Sequence, residues 1–240
     1  MSEPIVRFIR PFIFFLGAGV LALLAWGAAV RGGAGALDLA AEPGPLTGRR
    51  LTGLVEDGAR CRELLGQAGV AFATLPSRTE GKCGPRDPVR LGRGAFTLQL
   101  APADAAPSCP VAAGLALWEW HVVQPAARRH LGTRVAAIEH YGSYSCRRIR
   151  GRSGTGAGWS EHATANAFDV AAFRLADGRR VSVLRDWKGE GADARFLREV
   201  RDGACGLFAT VLSPDYNAAH RDHFHLDQAA RGSTGWRACR

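Results

Sequence analysis

The chain has 240 residues, of which 47% are hydrophobic and 22% are charged, and its formal net charge is +9. This length and apolar fraction suit one well-buried domain with an appendage, and the lack of an internal repeat argues against an array. The positive charge favours acidic partners such as nucleic acid, anionic lipid or anionic wall polymers, and since no nucleic-acid-binding motif accompanies it, we expect no nucleic-acid partner.

An uncharged apolar run extends from Phe12 to Val30, after a short N-terminal stretch that carries two arginines. A helix of this length, at about 1.5 Å per residue, spans close to the ~30 Å hydrocarbon core of a bilayer. Arginines before such a run keep the N-terminus cytoplasmic, so the remainder would be exported. We therefore predict a single-pass anchor over residues 1–31, in the inner membrane, with the rest in the periplasm. The alternative is a cleaved signal peptide, because Gly27-Ala28-Ala29 offers small residues suited to a peptidase.

Residues 32–55 are mainly small and apolar without a clear period, so we predict a linker there and a domain over residues 56–240. All the cysteines lie beyond this linker, and an even number in an exported domain predicts disulfides. None of their spacings forms a C-x-x-C metal knuckle. Many pairings are possible, and we predict the sequential one: Cys61 with Cys83, Cys109 with Cys146, and Cys205 with Cys239.

Apolar residues recur with a period near 3.6 over Glu56–Gly69 and Asp193–Ala204, which predicts two amphipathic helices. A longer helix is predicted over Ser108–Leu131, because it begins with an N-cap serine followed by an early proline and ends at a glycine. Pro125 has no backbone N–H, so we expect it to bend or divide this helix.

Alternating or β-rich apolar runs predict strands over Thr133–Tyr144, Phe168–Leu175, Val181–Leu184, Leu207–Leu212 and Asp222–Asp227. An Asp-Gly turn should join the second and third of them as a hairpin. The glycine-rich loop that ends near Trp159 should carry a basic rim of Arg147, Arg148, Arg150 and Arg152. Because helices and strands are interspersed without a βαβ rhythm, we predict an α+β fold with a small, mainly antiparallel sheet.

The chemistry is concentrated in two stretches, SEHATANAFD at Ser160–Asp169 and HRDHFHLD at His220–Asp227. Alternate side chains of a strand share a face, so two neighbouring strands would present their histidine and aspartate side chains together, opposite the apolar layer. A histidine on the loop before the first strand would fold over them. Nitrogen and oxygen ligands of this kind hold zinc in a catalytic site with one open position. We predict a Zn²⁺ site made of His162, Asp169 and His225.

The first stretch resembles the S-x-H-x-x-G-x-A-x-D motif of the zinc D-Ala-D-Ala peptidases and their hedgehog-like relatives. The three histidines His220, His223 and His225 resemble the closing H-x-x-H-x-H motif of the penicillin-insensitive murein endopeptidases. More closely, the region from Cys61 to Asp227, with GSYSCR at Gly142–Arg147, resembles the bacterial extensin-like C-terminal domain family. The resemblance implies a hedgehog/DD-peptidase-like fold and a zinc site made of the three ligands above.

The resemblance also implies that His223, with His220 in support, stabilises charge or moves a proton. Asp222 stands where the carboxypeptidase branch has a catalytic glutamate. Strict alternation along a strand would turn this shorter carboxylate to the face opposite His225 unless a bulge intervenes, so we prefer His223 as the proton-transfer group.

Three further residues have implied roles. Arg147 lies where relatives of the peptidase class place a substrate-orienting arginine, and its fork suits a peptide carboxylate, although a solvated charge is the alternative. Asp227 is expected to hydrogen-bond a ligand histidine. Ala165 departs from the peptidase motif, which has glycine at that position.

Two classes of function follow. The first is a membrane-anchored, extracytoplasmic zinc hydrolase whose substrates are the peptide bonds of peptidoglycan. The second is a non-catalytic wall-binding or structural module that keeps the metal for stability, since a metal site does not guarantee turnover. A zinc ion with three protein ligands keeps a position for a water that it activates, which favours the first class.

Overall fold

The computed structural model describes residues 37–151, 154–232 and 236–240, together with Gly17 and Gly19. The chain divides into two compact units, Met1–Asp38 and Leu39–Arg240, and the elements below belong to the second. The predicted anchor over Phe12–Val30 lies outside the described residues, except for the two glycines. Within the part of the chain that the structure describes, none of the helices has the length and hydropathy that a bilayer crossing requires.

Helices and strands are interspersed along the described part of the domain. The α-helices are α1 (Thr47–Gly53), α2 (Gly58–Gln67), α3 (Cys109–Trp118), α4 (Gln124–Leu131), α5 (Val183–Asp186) and α6 (Ala192–Cys205). The strands are β1 (Phe72–Thr74), β2 (Val89–Leu91), β3 (Gln99–Ala101), β4 (Val135–Gly142), β5 (Arg148–Gly151), β6 (Gly154–Trp159), β7 (Ala167–Leu175), β8 (Arg180–Ser182), β9 (Thr210–Leu212), β10 (Phe224–Asp227) and β11 (Ala238–Cys239). Short helical turns occupy Leu54–Glu56, Glu119–Val123, Glu161–Thr164 and Ala218–His220.

The main sheet has the strand order β11-β9-β10-β7-β4-β3, and β8 also pairs with β7. Strand β7 is central: it pairs antiparallel with β4 along one edge and with β10 and then β8 along the other. Only the pairs β3–β4 and β9–β11 of this sheet are parallel. The predicted α+β fold with a mainly antiparallel sheet is confirmed.

The core lies between this sheet and α3, a helix whose residues are all buried. Such a helix is apolar on every side because it has no solvent face. Trp118 at its end packs against Phe173 of β7, with the tilted rings 5.8 Å apart between centres, and donates its indole N–H to the carbonyl of Val200 on α6, at 2.8 Å. These contacts tie the central strand to two helices, so the strand that carries Asp169 is firmly held.

The helix predicted over Ser108–Leu131 is divided, as the position of Pro125 indicated. A π-helical turn at Glu119–Val123 separates α3 from α4. Proline has no N–H to donate to the preceding turn, so the regular ladder is interrupted there. Gly132 ends α4 with a φ of 69°, in the left-handed region that glycine adopts without strain.

The predicted linker over residues 32–55 ends too late. Its last part forms α1 and the turn at Leu54–Glu56, and Leu51 and Leu54 are buried. The glycines of this segment have low helix propensity, but tertiary packing of the leucines stabilises the helix.

The glycine-rich loop predicted after Arg147 is an antiparallel hairpin, β5–β6. The guanidinium of Arg148 lies 4.6 Å from the centre of the Trp159 ring. This cation–π contact stabilises the open end of the hairpin, where β5 begins and β6 ends. Arg152 of the predicted basic rim lies outside the described residues. The strand predicted over Val181–Leu184 is also shorter than expected, because α5 begins at Val183.

Three disulfides join all the cysteines: Cys61–Cys109, Cys83–Cys146 and Cys205–Cys239. The third predicted pairing is confirmed, and the predicted pairings Cys61–Cys83 and Cys109–Cys146 are wrong. The cause is tertiary: α2 brings Cys61 to the first turn of α3, while the turn that carries Cys83 meets the segment before β5.

We expect no titratable thiol in protein taken from its native compartment and denatured without reductant. Replacing Cys61 and Cys109 together with serine should lower the free energy of unfolding by about 2–4 kcal/mol, because an unbridged unfolded chain has more conformational freedom. Urea denaturation of the variant and the parent protein measures this difference. Six free thiols in the unreduced protein would contradict the disulfide framework.

Candidate metal centre

Strands β7 and β10 place Asp169 and His225 directly opposite each other in an antiparallel ladder. Side chains at such positions meet across the two strands, and Nδ1 of His225 lies 3.0 Å from Oδ1 of Asp169. The neighbours of both residues are apolar and buried, and alternation turns them to the opposite face: Phe168, Val170, Phe224 and Leu226. The two polar side chains therefore share one face of the sheet.

His162 reaches this pair from the turn Glu161–Thr164, which leads into β7. The Ser160 side chain caps the turn by accepting a hydrogen bond from the His162 N–H, at 3.3 Å. The turn ends at Ala165, whose φ of 58° is in the left-handed region, where a residue with a Cβ is strained by about 1–2 kcal/mol. As a result, Nε2 of His162 lies 3.1 Å from His225 Nδ1 and 3.1 Å from Asp169 Oδ2.

The outer partners of the two histidines determine which nitrogens face the centre. Nδ1 of His162 donates to the carbonyl of Ser143 at 3.0 Å, and Nε2 of His225 lies 3.1 Å from Oδ2 of Asp227. The remaining nitrogens, Nε2 of His162 and Nδ1 of His225, both face Asp169. Metal-binding histidines have this arrangement, with one nitrogen on the metal and the other bonded to a carbonyl or carboxylate.

The cluster fits zinc by donor type and by spacing. The ligand atoms of His162, Asp169 and His225 all lie within 4.8 Å of one another, and their closest separations are 3.0–3.1 Å. Ligand atoms in tetrahedral coordination at zinc bond lengths lie about 3.3 Å apart. Two imidazoles and one carboxylate would thus hold the ion and leave a fourth position open.

Backbone hydrogen bonds fix the turn that carries His162 from two sides. The N–H groups of Gly84 and Arg86 donate to the carbonyls of Ala163 and Thr164, at 2.9 and 3.1 Å, and the N–H of Ser145 donates to the carbonyl of His162, at 3.0 Å. The disulfide Cys83–Cys146 joins the two segments that make these bonds. The cluster is therefore preorganised by the backbone.

The charges of the cluster are strongly coupled. Burial disfavours the charge of Asp169, but the hydrogen bonds and charges of His162 and His225 outweigh this effect and lower its pKa. Burial would likewise lower the pKa of His225, but Asp169 and Asp227 raise it to about 9. The carboxylates of Asp169 and Asp227 thus make the site favourable for a cation. A divalent ion bound there would displace the proton from the imidazole of His225.

His223 lies beside the three ligands with one nitrogen turned to them. Its Nδ1 is 2.9 Å from Oδ1 of Asp222, and its Nε2 is 3.7 Å from Oδ1 of Asp169. The other carboxylate oxygen of Asp222 is 3.4 Å from the hydroxyl of Tyr141. Strand β10 begins at Phe224, so Asp222 and His223 precede it, and the strand alternation expected for Asp222 does not apply. The carboxylate orients the imidazole.

His220 completes a group of neighbouring imidazole rings that lie tilted or edge-on to one another. Its ring centre is 5.2 Å from that of His223 and 6.0 Å from that of His225, and its Nδ1 is 2.8 Å from Oδ1 of Asn217. Burial, followed by the charges of the other two histidines, lowers the pKa of His220 to about 4, so this ring is neutral at neutral pH.

Arg147 lies on the segment between the Cys83–Cys146 disulfide and β5. Its carbonyl accepts a hydrogen bond from the N–H of Ser160, at 3.1 Å, which joins it to the cap of the His162 turn. Its charge contributes to lowering the pKa of His220, so the guanidinium lies within electrostatic reach of the histidine group. A role in orienting substrate stays a prediction.

Sequence reasoning missed the tyrosines, although all three of them are exposed and two of them pack against His223 or His220. Tyr141 lies edge-on to His223, and Tyr216 packs against His220 with the ring centres 5.6 Å apart. Tyr144 lies between Ser143 and Ser145, whose backbone groups bond to His162. The available signal was their position, since Tyr141 and Tyr144 lie next to or within the GSYSCR stretch and Tyr216 lies four residues before His220, whereas the phenylalanines are spread along the chain.

A comparison with known protein families matches residues 59–240 to the model of the extensin-like protein C-terminus. No curated protein and no solved structure matches the chain.

Proposed function

Because this chain belongs to the extensin-like protein C-terminus family and its ligand atoms converge on one point, we propose that it is a zinc-dependent hydrolase of peptide bonds in peptidoglycan. The observation that carries the proposal is the trio His162, Asp169 and His225, with both inner nitrogens facing the carboxylate. A zinc ion held there would supply a Lewis acid and an activated water for attack on an amide carbonyl.

The surrounding residues have separate roles in this proposal. His223 moves a proton between the attacking water and the leaving amine, because its Nε2 is turned toward the ligands. Asp222 positions His223 through Nδ1. His220 supports the neighbouring ring as a neutral imidazole, and Arg147 binds a carboxylate of the wall peptide through its two-pronged guanidinium. Asp227 holds His225 in the tautomer that leaves Nδ1 free.

We also propose a relationship to the zinc D-Ala-D-Ala peptidases and a hedgehog-like fold for the domain. The motif supports this through one backbone detail. Ala165 stands at the position of the motif's glycine, and its φ of 58° is a value that glycine adopts without strain. Replacement by alanine is thus tolerated at a small cost, and the turn keeps the shape that the motif requires.

For location, we propose that residues 1–31 anchor the protein in the inner membrane and that the domain over residues 56–240 lies in the periplasm. The apolar run of the sequence supports the anchor. The three disulfides support the compartment, since disulfides persist in oxidising surroundings. Peptidoglycan would then be within reach of the domain.

A non-catalytic module that binds the wall is the second candidate. The exposed rings of Tyr141, Tyr144 and Tyr216 favour it, because exposed aromatic side chains supply contact area without any need for turnover. In that case the metal would hold His162 and β10 together and serve stability alone.

The test is digestion of purified sacculi by the zinc-loaded protein, with a chelator-treated sample as the control. We expect soluble wall peptides to appear, with new amino groups as the readout, and the chelator to abolish their release. Full zinc occupancy without cleavage, together with sedimentation of the protein with sacculi, would replace the hydrolase by the binding module.

A further inference from the structure

A pocket lies on the domain, between α1 and the segment that follows β10. Its volume is about 310 Å³. One wall is apolar, formed by Ala209, Ala229 and the exposed ring of Trp236. Three arginines, Arg49, Arg231 and Arg237, form much of the rest. No ligand of the candidate metal centre lines this pocket, so it is a separate site.

The pocket is built around its arginines. The guanidinium of Arg237 donates to the carbonyl of Phe208, and that of Arg231 donates to the carbonyl of Ala209 and lies 5.2 Å from the centre of the Trp236 ring. Gly48 lets α1 approach closely, since a Cβ there would collide with the Arg237 guanidinium. Two of the three guanidinium groups are therefore held in fixed orientations.

The side chains that line the pocket carry more positive than negative charge. Among the described residues that line it, Glu56 is the one carboxylate beside the three arginines. Burial and the charge of Arg49 lower the pKa of Arg237, Asp227 opposes them, and Arg231 adds a smaller effect in the same direction as Arg49. Guanidinium groups that crowd one concave site repel one another, and an anion placed among them would relieve the repulsion.

We propose that this pocket binds an oxyanion of the phosphate class. An arginine guanidinium can donate two parallel hydrogen bonds to a pair of phosphate oxygens, and three guanidinium groups around one cavity suit an anionic ligand with several oxygens. The Trp236 ring and the alanines leave room for an apolar group attached to the phosphate. The same chemistry is offered by a soluble phosphate ester and by the headgroup of an anionic lipid.

Arg49 is the residue on which to test the site. Arg231 also donates to the hydroxyl of Thr210, which hydrogen-bonds to Asp227 beside His225, so its loss would disturb the metal centre as well. Arg49 is exposed on α1 and lines the pocket. Arg50, its neighbour on the same helix, lies outside the lining and provides a matched control.

The experiment is isothermal titration calorimetry of inorganic phosphate into the full-length protein in detergent, with chelator present. We expect saturable binding that Arg49→Gln weakens about 10-fold or more, because a charge-assisted contact is lost, and that Arg50→Gln leaves unchanged. Binding should persist in His162→Ala, which separates this site from the metal centre and from the fate of the proposed hydrolase.

A second arm replaces phosphate with a short-chain phosphatidylglycerol below its micelle concentration. Tighter, Arg49-dependent binding of this diester would identify a lipid headgroup as the ligand, and preference for the free phosphate would identify a soluble one. The proposal is overturned if neither probe binds the parent protein, or if Arg49→Gln binds both as well as the parent does.

Discussion

Replacing His225 with alanine should remove zinc from the protein. The parent chain is expected to carry about one zinc ion, held by the three side chains that meet between β7 and β10. Loss of an outer hydrogen-bonding partner typically weakens metal affinity by about 10- to 100-fold, so loss of a direct ligand should weaken it by more. His162→Ala and Asp169→Ala should have the same effect. Metal analysis of the purified variants after dialysis measures it.

His121→Ala is the matched control, because this histidine lies in the turn between α3 and α4, away from the cluster. It should keep full zinc content. Circular dichroism of each variant separates loss of metal from loss of fold. If the variants at His162, Asp169 and His225 all retain full occupancy, the assignment of the metal centre is wrong.

Replacing His223 with alanine should leave zinc in place and abolish hydrolysis. Its Nε2 is 3.7 Å from Asp169 Oδ1, too far for a hydrogen bond, and His223 is not one of the three ligands, so the ligand set should survive without it. Removal of a general acid or base typically costs about 10²- to 10⁴-fold in rate. Release of muropeptides from sacculi, measured beside zinc content, gives both quantities for the same sample.

Asp222→Asn is the informative contrast. Because the carboxylate bonds to Nδ1 of His223, we expect it to position the imidazole, and the variant should show a smaller loss of rate with a shifted pH profile. A carboxylate that acted as the base itself would give the opposite ranking. If Asp222→Asn abolishes cleavage while His223→Ala remains active, the proton-transfer role belongs to Asp222.

The parts of the fold that could be predicted are those in which local pattern and burial agree. In α6 the apolar residues recur with the helical period, and these residues form its buried face. In β7 and β10 polar and apolar residues alternate, which turns Asp169 and His225 to one side of the sheet. Once β7 and β10 are taken as neighbouring strands, this alternation predicts that Asp169 and His225 lie close together. The division at Pro125 could also be predicted, since a missing N–H acts locally.

The remaining features depend on contacts between distant segments. Helix α1 has little helix propensity of its own and depends on packing of Leu51, so composition suggested a linker. Asp222 was assigned to a strand that begins two residues later, at Phe224, because a polar turn adjoining a strand carries no boundary signal. The arginine pocket joins residues from both ends of the domain, and sequence spacing gives no information about such a meeting.

The bonds Cys61–Cys109 and Cys83–Cys146 cross each other along the chain, since each encloses one cysteine of the other. If the domain is exported as proposed, the residues after the apolar run enter the oxidising compartment in chain order, so Cys61 and Cys83 arrive before either of their partners. An oxidase that joins thiols in order of arrival would therefore make the wrong bond first, and native pairing requires exchange through a mixed disulfide. We therefore expect maturation of this domain in an oxidising compartment to depend on a disulfide isomerase, and cells that lack one to accumulate the mispaired form.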